Sequence, residues 1–382
     1  MTELLTYLDY NATAPVRPEA IAAMADAFGA GGNPSSVHGA GRLARRALES
    51  ARERIAAAVN VDPAHVVFTS GGTEANNLAL AGFPGHHLVI SAIEHGSVMA
   101  PALMFDPHAT IVAVDADGIL DLSVLERALA ATPVPALVSV MLANNETGVV
   151  QPVADAARIA HRFGALLHCD AVQGLGKIPV DVAALGADLV TFSAHKLGGP
   201  LGAGALVLAN GAAPKARSLG GGQERGRRAG TENVPAIVGF AVAVERALAD
   251  GAAIQTIAAL RNDLERRVLA AAPGARVVGV GAPRLPNTSC LVMPGVASET
   301  QVMALDLAGI AVSAGAACSS GKVARSHVLA AMGLDDAIAG AAIRVSLGWR
   351  SSTADIDRLV EAWTELYART RIDRAPRAAA NA

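Results

Sequence analysis

Between about Val66 and Leu208, short apolar runs alternate with stretches of helix length. The runs cover residues 66–69, 88–91, 110–114, 136–140, 166–170, 189–193 and 204–208, and residues 121–131 and 153–163 are examples of the segments between them. Most runs are apolar on both faces. A strand without a polar face has to be covered on both sides, which is the condition of a mostly parallel sheet wrapped by helices. The alternation therefore specifies an α/β fold. In such sheets ligands bind beyond the carboxyl ends of the strands, often at helix N-termini.

The second part of the chain reads differently. Residues 233–272 form a long, Ala-rich helical pattern, followed by two shorter strand patterns at 288–292 and 343–347 with helices between and after them. This predicts a smaller α+β C-terminal domain, with the long helix as the link. The expected boundaries are a large domain over 14–250, a small domain from 1–13 plus 251–368, and a frayed tail over 369–382, where apolar periodicity stops. With 382 residues the chain is long enough for two cores, and its 52% hydrophobic and 17% charged content exclude low-complexity disorder for most of it. A net charge of -3 gives no basic field for nucleic acid. Three cysteines, Cys169, Cys290 and Cys318, fit reduced thiols better than a disulfide framework. Met1 to Leu5 lacks a basic region followed by a long apolar run, so no signal peptide is expected. The apolar stretch 236–244 is too short to span a bilayer, so no membrane association and a cytoplasmic location are expected.

Chemistry concentrates after the strand patterns. Ser193-Ala194-His195-Lys196 closes one run and leads into Gly198-Gly199-Pro200, while Leu166 to Asp170 ends in a carboxylate and continues to Gln173. Pyridoxal phosphate (PLP) needs such a pair: a lysine to hold it as an imine and an acid to keep its ring nitrogen protonated. The alternative, a surface lysine and a helix-capping aspartate, loses ground because other anion-binding segments accompany the pair. Ser70-Gly71-Gly72-Thr73 follows a strand and opens a helix, where glycines permit close approach and free N–H groups attract a phosphate. Ser193 and His195 can donate to the same phosphate.

His95, at a helix start after residues 88–91, can stack on a cofactor ring or move protons, or else simply cap the helix. Asn145, within Asn144-Asn145-Glu146-Thr147-Gly148, is either a turn residue or a partner for a ring oxygen. The stretch from Gly220 to Thr231 reads as a mobile, basic, Gly-rich loop suited to an anion or another subunit. Cys318 lies in the small-residue segment Ser313-Ala314-Gly315-Ala316-Ala317-Cys318-Ser319-Ser320-Gly321, a solvated setting in which a thiol is open to deprotonation and attack. Arg344, inside the apolar strand 343–347, wants an anion: a substrate carboxylate or a structural Asp or Glu.

Taken together, these segments resemble the cysteine desulfurases, fold-type I PLP enzymes of the class V aminotransferase group. The resemblance runs from Tyr7-Leu8-Asp9-Tyr10-Asn11-Ala12-Thr13-Ala14-Pro15 through Gly32-Asn33-Pro34-Ser35-Ser36-Val37-His38 and the Gly220 to Thr231 loop to Arg344-Val345-Ser346-Leu347-Gly348. It implies PLP on Lys196, with Asp170 on the ring nitrogen, Gln173 and Asn145 at the ring hydroxyl, and His95 stacked on the ring. Gly72, Thr73, Ser193 and His195 would hold the phosphate, with Thr231 reaching in from the partner subunit of a homodimer. Arg344 and Asn11, with Asn145 beside them, would bind the substrate L-cysteine, Cys318 would be the nucleophile, and His95 would shuttle the substrate's thiol proton. The longer-loop branch matches, although Ala314 and Ala316 stand where serines are common. The expected products are L-alanine and a persulfide on Cys318, passed to an iron–sulfur scaffold or another sulfur-acceptor protein. Housekeeping relatives carry a longer extension after the position of Trp349, so a nitrogenase-dedicated role is an equal expectation. No resident metal is implied, and transient cluster ligation by Cys318 stays open. The alternatives within the same PLP fold are a selenocysteine lyase and a small-amino-acid aminotransferase, neither of which needs the thiol.

Overall fold

The computed structural model describes residues 5–132, 135–315 and 325–372. Its centre is a seven-stranded sheet in the order Val66–Thr69, Gly204–Leu208, Leu189–Ser193, Leu166–Asp170, Ala136–Ser139, His87–Ser91, Thr110–Val112. The four pairings among the last five strands are parallel, and the two that involve Gly204–Leu208 are antiparallel. This is the expected mostly parallel α/β sheet.

Alternate residues along each strand serve opposite faces. Phe68, Val138, Leu167, Cys169, Val190, Phe192 and Val207 join the core beneath helices Gly39–Ala58, Val153–Arg162 and Val234–Ala249. Val67, Leu88, Ile90, Leu137, Leu189 and Leu206 join a second core beneath Gly72–Ala81 and Gly96–Phe105. Both faces are dry, which is why the sequence shows unbroken apolar runs.

Strand direction explains where the loops gather. Gly204–Leu208 runs against both of its neighbours, so two reversals leave Val66–Thr69 parallel to Leu189–Ser193. Thr69, Ser91, Ser139, Asp170 and Ser193 therefore all end at one rim of the sheet.

A smaller antiparallel sheet follows, in the order Ser313–Ala314, Ala342–Ser346, Thr288–Val292, Arg276–Val277. Leu264 and Val268 of helix Gly251–Ala271, Leu305 of Ser298–Leu307, and Ile356, Leu359 and Trp363 of Thr353–Ile372 pack onto it. The N-terminal strand Thr6–Tyr7 pairs in parallel with Ile310–Ala311.

The helical pattern at 233–272 is two helices, Val234–Ala249 and Gly251–Ala271, not one. They break at Asp250, whose N–H turns back to the Arg246 and Leu248 carbonyls and whose carboxylate is drawn to Arg17 Nη2 at 2.8 Å. The last helix runs on to Ile372, past the expected onset of fraying at 369. Tyr367 stacks on Trp363 and donates its hydroxyl to the Pro273 carbonyl, which fastens that turn. Among the described residues, no helix is long and apolar enough to cross a membrane.

Candidate active site

The rim opens into a cavity of about 500 Å³. Asn11, Gly72, Thr73, His95, Asn145, Asp170, Gln173, Ser193, His195, Lys196 and Arg344 all line it. The structure thus brings together eleven of the thirteen residues singled out in the sequence. Of the other two, Thr231 is exposed and stands outside the cavity wall, and Cys318 lies outside the described residues.

Parallel pairing sets the central geometry. Asp170 is opposite Thr191 in the ladder, so Asp170 and the turn Ala194–Lys196 leave adjacent strands side by side. Lys196 Nζ donates to the main-chain carbonyls of Asn11 at 2.7 Å and Ala12 at 2.9 Å. The buried Asp170 carboxylate accepts from Asn76 Nδ2 at 2.7 Å and from its own loop at Val172 N, 3.0 Å.

The anion cradle is also visible. Helix Gly72–Ala81 starts beside Ser193, whose buried hydroxyl has no hydrogen-bond partner. A side chain at Gly72 would meet Val172 Cγ2 at 2.9 Å and Ser193 Cβ at 3.6 Å, so glycine keeps this corner open. A buried, unsatisfied hydroxyl facing free N–H groups at a helix start is a donor set for a phosphate. The residues present therefore fit PLP: an amine, an acid across from it, and an anion cradle at one end.

Burial sets the protonation of the two histidines that line the cavity. Desolvation, then the charge of Lys196, drives His195 down to about 4, and its Nδ1 meets Thr13 Oγ1 at 3.0 Å. His95 is lowered by desolvation against the opposing pull of Asp170. Its Nδ1 accepts from the Ser97 main-chain N–H at 3.1 Å, capping helix Gly96–Phe105 and leaving Nε2 to carry the proton of the neutral ring. His95 thus caps its helix and lines the cavity at once. Beneath it, Glu94 is fully buried and is raised well above the usual carboxylate range by desolvation and by Asp170.

Arg344 has a structural partner: Nη2 donates to Asp9 Oδ1 at 2.7 Å and Nη1 to the Asn145 carbonyl at 3.2 Å. Its buried Nε is unpartnered. The Gly-rich loop is exposed along most of its length but anchored at one point. Glu224 at its middle is buried in a bidentate pair with Arg52, at 2.7 and 2.9 Å.

Sequence reasoning passed over Asp9 and Asn76, which line the cavity too, and Lys177 and Asn287, which orient the lining residues from behind. Asn76 sits in Thr73-Glu74-Ala75-Asn76, four residues into the helix that was read as an anion site, so its inward helical position was the available signal. Asp9 and Asn287 are joined to the site by contacts far apart in the chain, whereas Lys177 stands four residues after Gln173, a spacing that was the available signal.

The model of the class-V aminotransferases matches residues 6–359. A cysteine desulfurase of Cereibacter sphaeroides is 45% identical over 369 residues, covering 93% of this chain and 94% of its own. Among solved structures, a NifS-like protein from Rickettsia africae superposes with a TM-score of 0.88 at 36% identity, over 96% of this chain and 100% of that one. A structure of SspA in complex with cysteine superposes with a TM-score of 0.76 at 29% identity, over 89% of this chain and 98% of that one.

Proposed function

We infer the function from one premise: the chain belongs to the class-V aminotransferase family and, within it, to the cysteine desulfurases. It is a PLP-dependent enzyme that takes sulfur from L-cysteine and releases L-alanine. The observation that carries this reading is the convergence on one cavity of an amine, a buried carboxylate, an unpartnered hydroxyl at a helix start and a buried guanidinium.

When bound, PLP supplies an electron sink for the carbon that loses its proton. The roles of the chain's own residues are proposals. Lys196 anchors the cofactor, and its Nζ then takes the substrate's α-proton. Asp170, held by Asn76 and the Val172 N–H, keeps a proton on the ring nitrogen. Gln173 and Asn145 meet the ring hydroxyl, and His95 covers the ring. The Gly72 N–H, Thr73, Ser193 and His195 hold the phosphate, and an exposed Thr231 reaches the phosphate site of a second copy in a homodimer. Arg344 forks onto the substrate carboxylate, assisted by Asn11. His95, neutral near pH 7, relays the substrate's thiol proton, with Nε2 handing on its own proton before it takes one up.

Cys318 acts as the nucleophile, a role that rests on the sequence. Its thiolate attacks the substrate sulfur: a sulfur–sulfur bond forms and the carbon–sulfur bond breaks. The electron pair goes to the carbon skeleton, which leaves after protonation as L-alanine, and the persulfide stays on Cys318. A sulfur-acceptor protein, such as an iron–sulfur scaffold, then takes the sulfur.

The test measures L-alanine formed from L-cysteine by the purified protein and by Cys318→Ala. Alanine from wild type alone is the expected result. Alanine from both would replace the persulfide route with a lyase that ignores this thiol. Alanine from neither, with cofactor bound, would favour an aminotransferase.

A further inference from the structure

Lys177 has no part in the chemistry above, yet it reaches the active site from behind. Its Nζ donates to Asn11 Oδ1 at 2.8 Å and to Gln173 Oε1 at 2.5 Å. Among the described residues, no carboxylate stands within salt-bridge distance of it. Two amide oxygens are its partners instead. Burial and the cations Lys196 and Arg344 push it well below the usual lysine range. Either protonation state retains N–H donors and so preserves both contacts.

The consequence follows from the shape of an amide. Its oxygen and NH₂ ends are almost isosteric, and only the hydrogen-bond partners decide which way it faces. Lys177 spends an N–H on each of the two oxygens whether charged or neutral, so it holds both turned toward itself. Asn287 Nδ2 adds a second donor on Asn11 Oδ1 at 3.1 Å. The NH₂ groups are thereby turned the other way: Gln173 Nε2 donates to the Asn11 main-chain carbonyl at 2.9 Å, and Asn11 Nδ2 donates to Thr288 Oγ1 at 2.8 Å and the Asn145 carbonyl at 3.1 Å. The Asn11 carbonyl is also the seat of Lys196 Nζ. One side-chain nitrogen therefore fixes two amides that line the cavity and, through them, the backbone against which Lys196 rests.

We propose that Lys177 is a positioning residue of the desulfurase site, setting the orientation of the Asn11 and Gln173 amides from the rear. This rests on the function proposed above. Lys177 also borders a second cavity of about 60 Å³, shared with Lys196, Tyr10 and Trp349, which leaves room for a slightly larger donor. The informative pair is therefore Lys177→Met, which keeps the stem and loses every donor, and Lys177→Arg, which keeps donors.

Expected for the holoenzyme of Lys177→Met is an altered visible circular dichroism of bound PLP and about tenfold weaker PLP binding, as for the loss of one or two net hydrogen bonds. KM for L-cysteine rises more than kcat falls, because Asn11 is lost as a substrate contact. Lys177→Arg restores the dichroism and KM toward wild type. Gln173→Glu serves as the second variant should Lys177→Met fail to fold. Its carboxylate still accepts from Lys177 but has no N–H for the Asn11 carbonyl, so it reproduces the dichroism change. A folded Lys177→Met with wild-type dichroism, PLP affinity and KM overturns the proposal, as does a Gln173→Glu with unchanged dichroism. Failure of the underlying functional reading is distinguishable, since wild type itself would then form no alanine.

Discussion

His168 shows what a buried titratable side chain contributes when it stands just outside the chemistry. It lies mid-strand, two residues before Asp170, and is 0% exposed. One ring nitrogen meets Ser139 Oγ at 2.9 Å and the other Thr191 Oγ1 at 3.0 Å, so three adjacent strands share it. Both hydroxyls can act as donor or acceptor, so a neutral ring is satisfied at both ends. Desolvation, only partly opposed by Asp170, takes it down to about 4 from 6.5. A base whose folded pKa is depressed contributes stability that is complete above its unfolded pKa. That stability is lost as pH falls, because the unfolded chain takes up the proton first. The window runs from 6.5 down to 4. Between pH 7.5 and 4.5 His168 should therefore account for about 2–3 kcal/mol of lost unfolding free energy. In urea unfolding at the two pH values, His168→Gln should show a pH penalty smaller by that amount. An identical penalty would mean that the ring is charged, or re-partnered, in the fold.

At the scale of elements, the Gly-rich loop is the informative case. Glu224 and Arg225 both adopt left-handed backbone, with φ of 47° and 58°. Each residue with a side chain in that region costs about 1–2 kcal/mol. The strain is held by the Glu224 carboxylate, which receives the Arg52 fork and also the Phe68 N–H at 2.8 Å, while the guanidinium lies 4.6 Å over the Phe68 ring. Removing Glu224 takes both Nη partners of the fork away and leaves the buried guanidinium only Glu49, at Nε, as a counter-charge. Glu224→Ala should cost about 3–5 kcal/mol in urea unfolding, whereas Arg225→Ala, on the exposed neighbour, should cost about 1 kcal/mol or less. Equal costs would show that the loop is not pinned through Glu224. The same contrast explains what was legible in the chain. Leu166–Asp170, Leu189–Ser193, Gly204–Leu208 and Thr288–Val292 begin and end where their apolar runs do, because each is dry on both faces. Asp170 was legible because it ends such a run, and Lys196 because it closes the short turn that follows one. The grip of Glu224 was not, since a glutamate among glycines and arginines reads as solvated and its partner is 172 residues away. Two-residue strands such as Thr6–Tyr7 and Arg276–Val277 are too short to carry a period.

Across the whole molecule, the N-terminal segment is the strap that brings the small sheet to the lysine. Thr6–Tyr7 pairs with Ile310–Ala311, and the Ser346 N–H and carbonyl bond to Leu8 and Tyr10. A few residues on, the Ala14 and Arg17 N–H groups bond to the carbonyls of His195 and Gly198, on either side of Lys196. Asn11, midway, is the seat for Lys196 and Lys177. The strap is pressed down where the buried Tyr10 ring lies against Gly348: a Cβ there would sit 1.9 Å from Tyr10 Cδ1. No rotamer adjustment relieves so close an approach, and the ring itself has to leave. Gly348→Ala should therefore destabilise the protein by about 1–3 kcal/mol, the range for overpacking a filled site. Because Asn11 adjoins Tyr10, PLP affinity should fall as well, although residue 348 does not line the large cavity. The decisive measurement is a double-mutant cycle. In a Tyr10→Ala background the ring is already gone, and Gly348→Ala should lose most of its cost, giving a coupling of about 1 kcal/mol or more. Additive costs would place the damage in the Gly348 backbone itself. They would also remove the argument that the strap transmits small-sheet packing to Lys196.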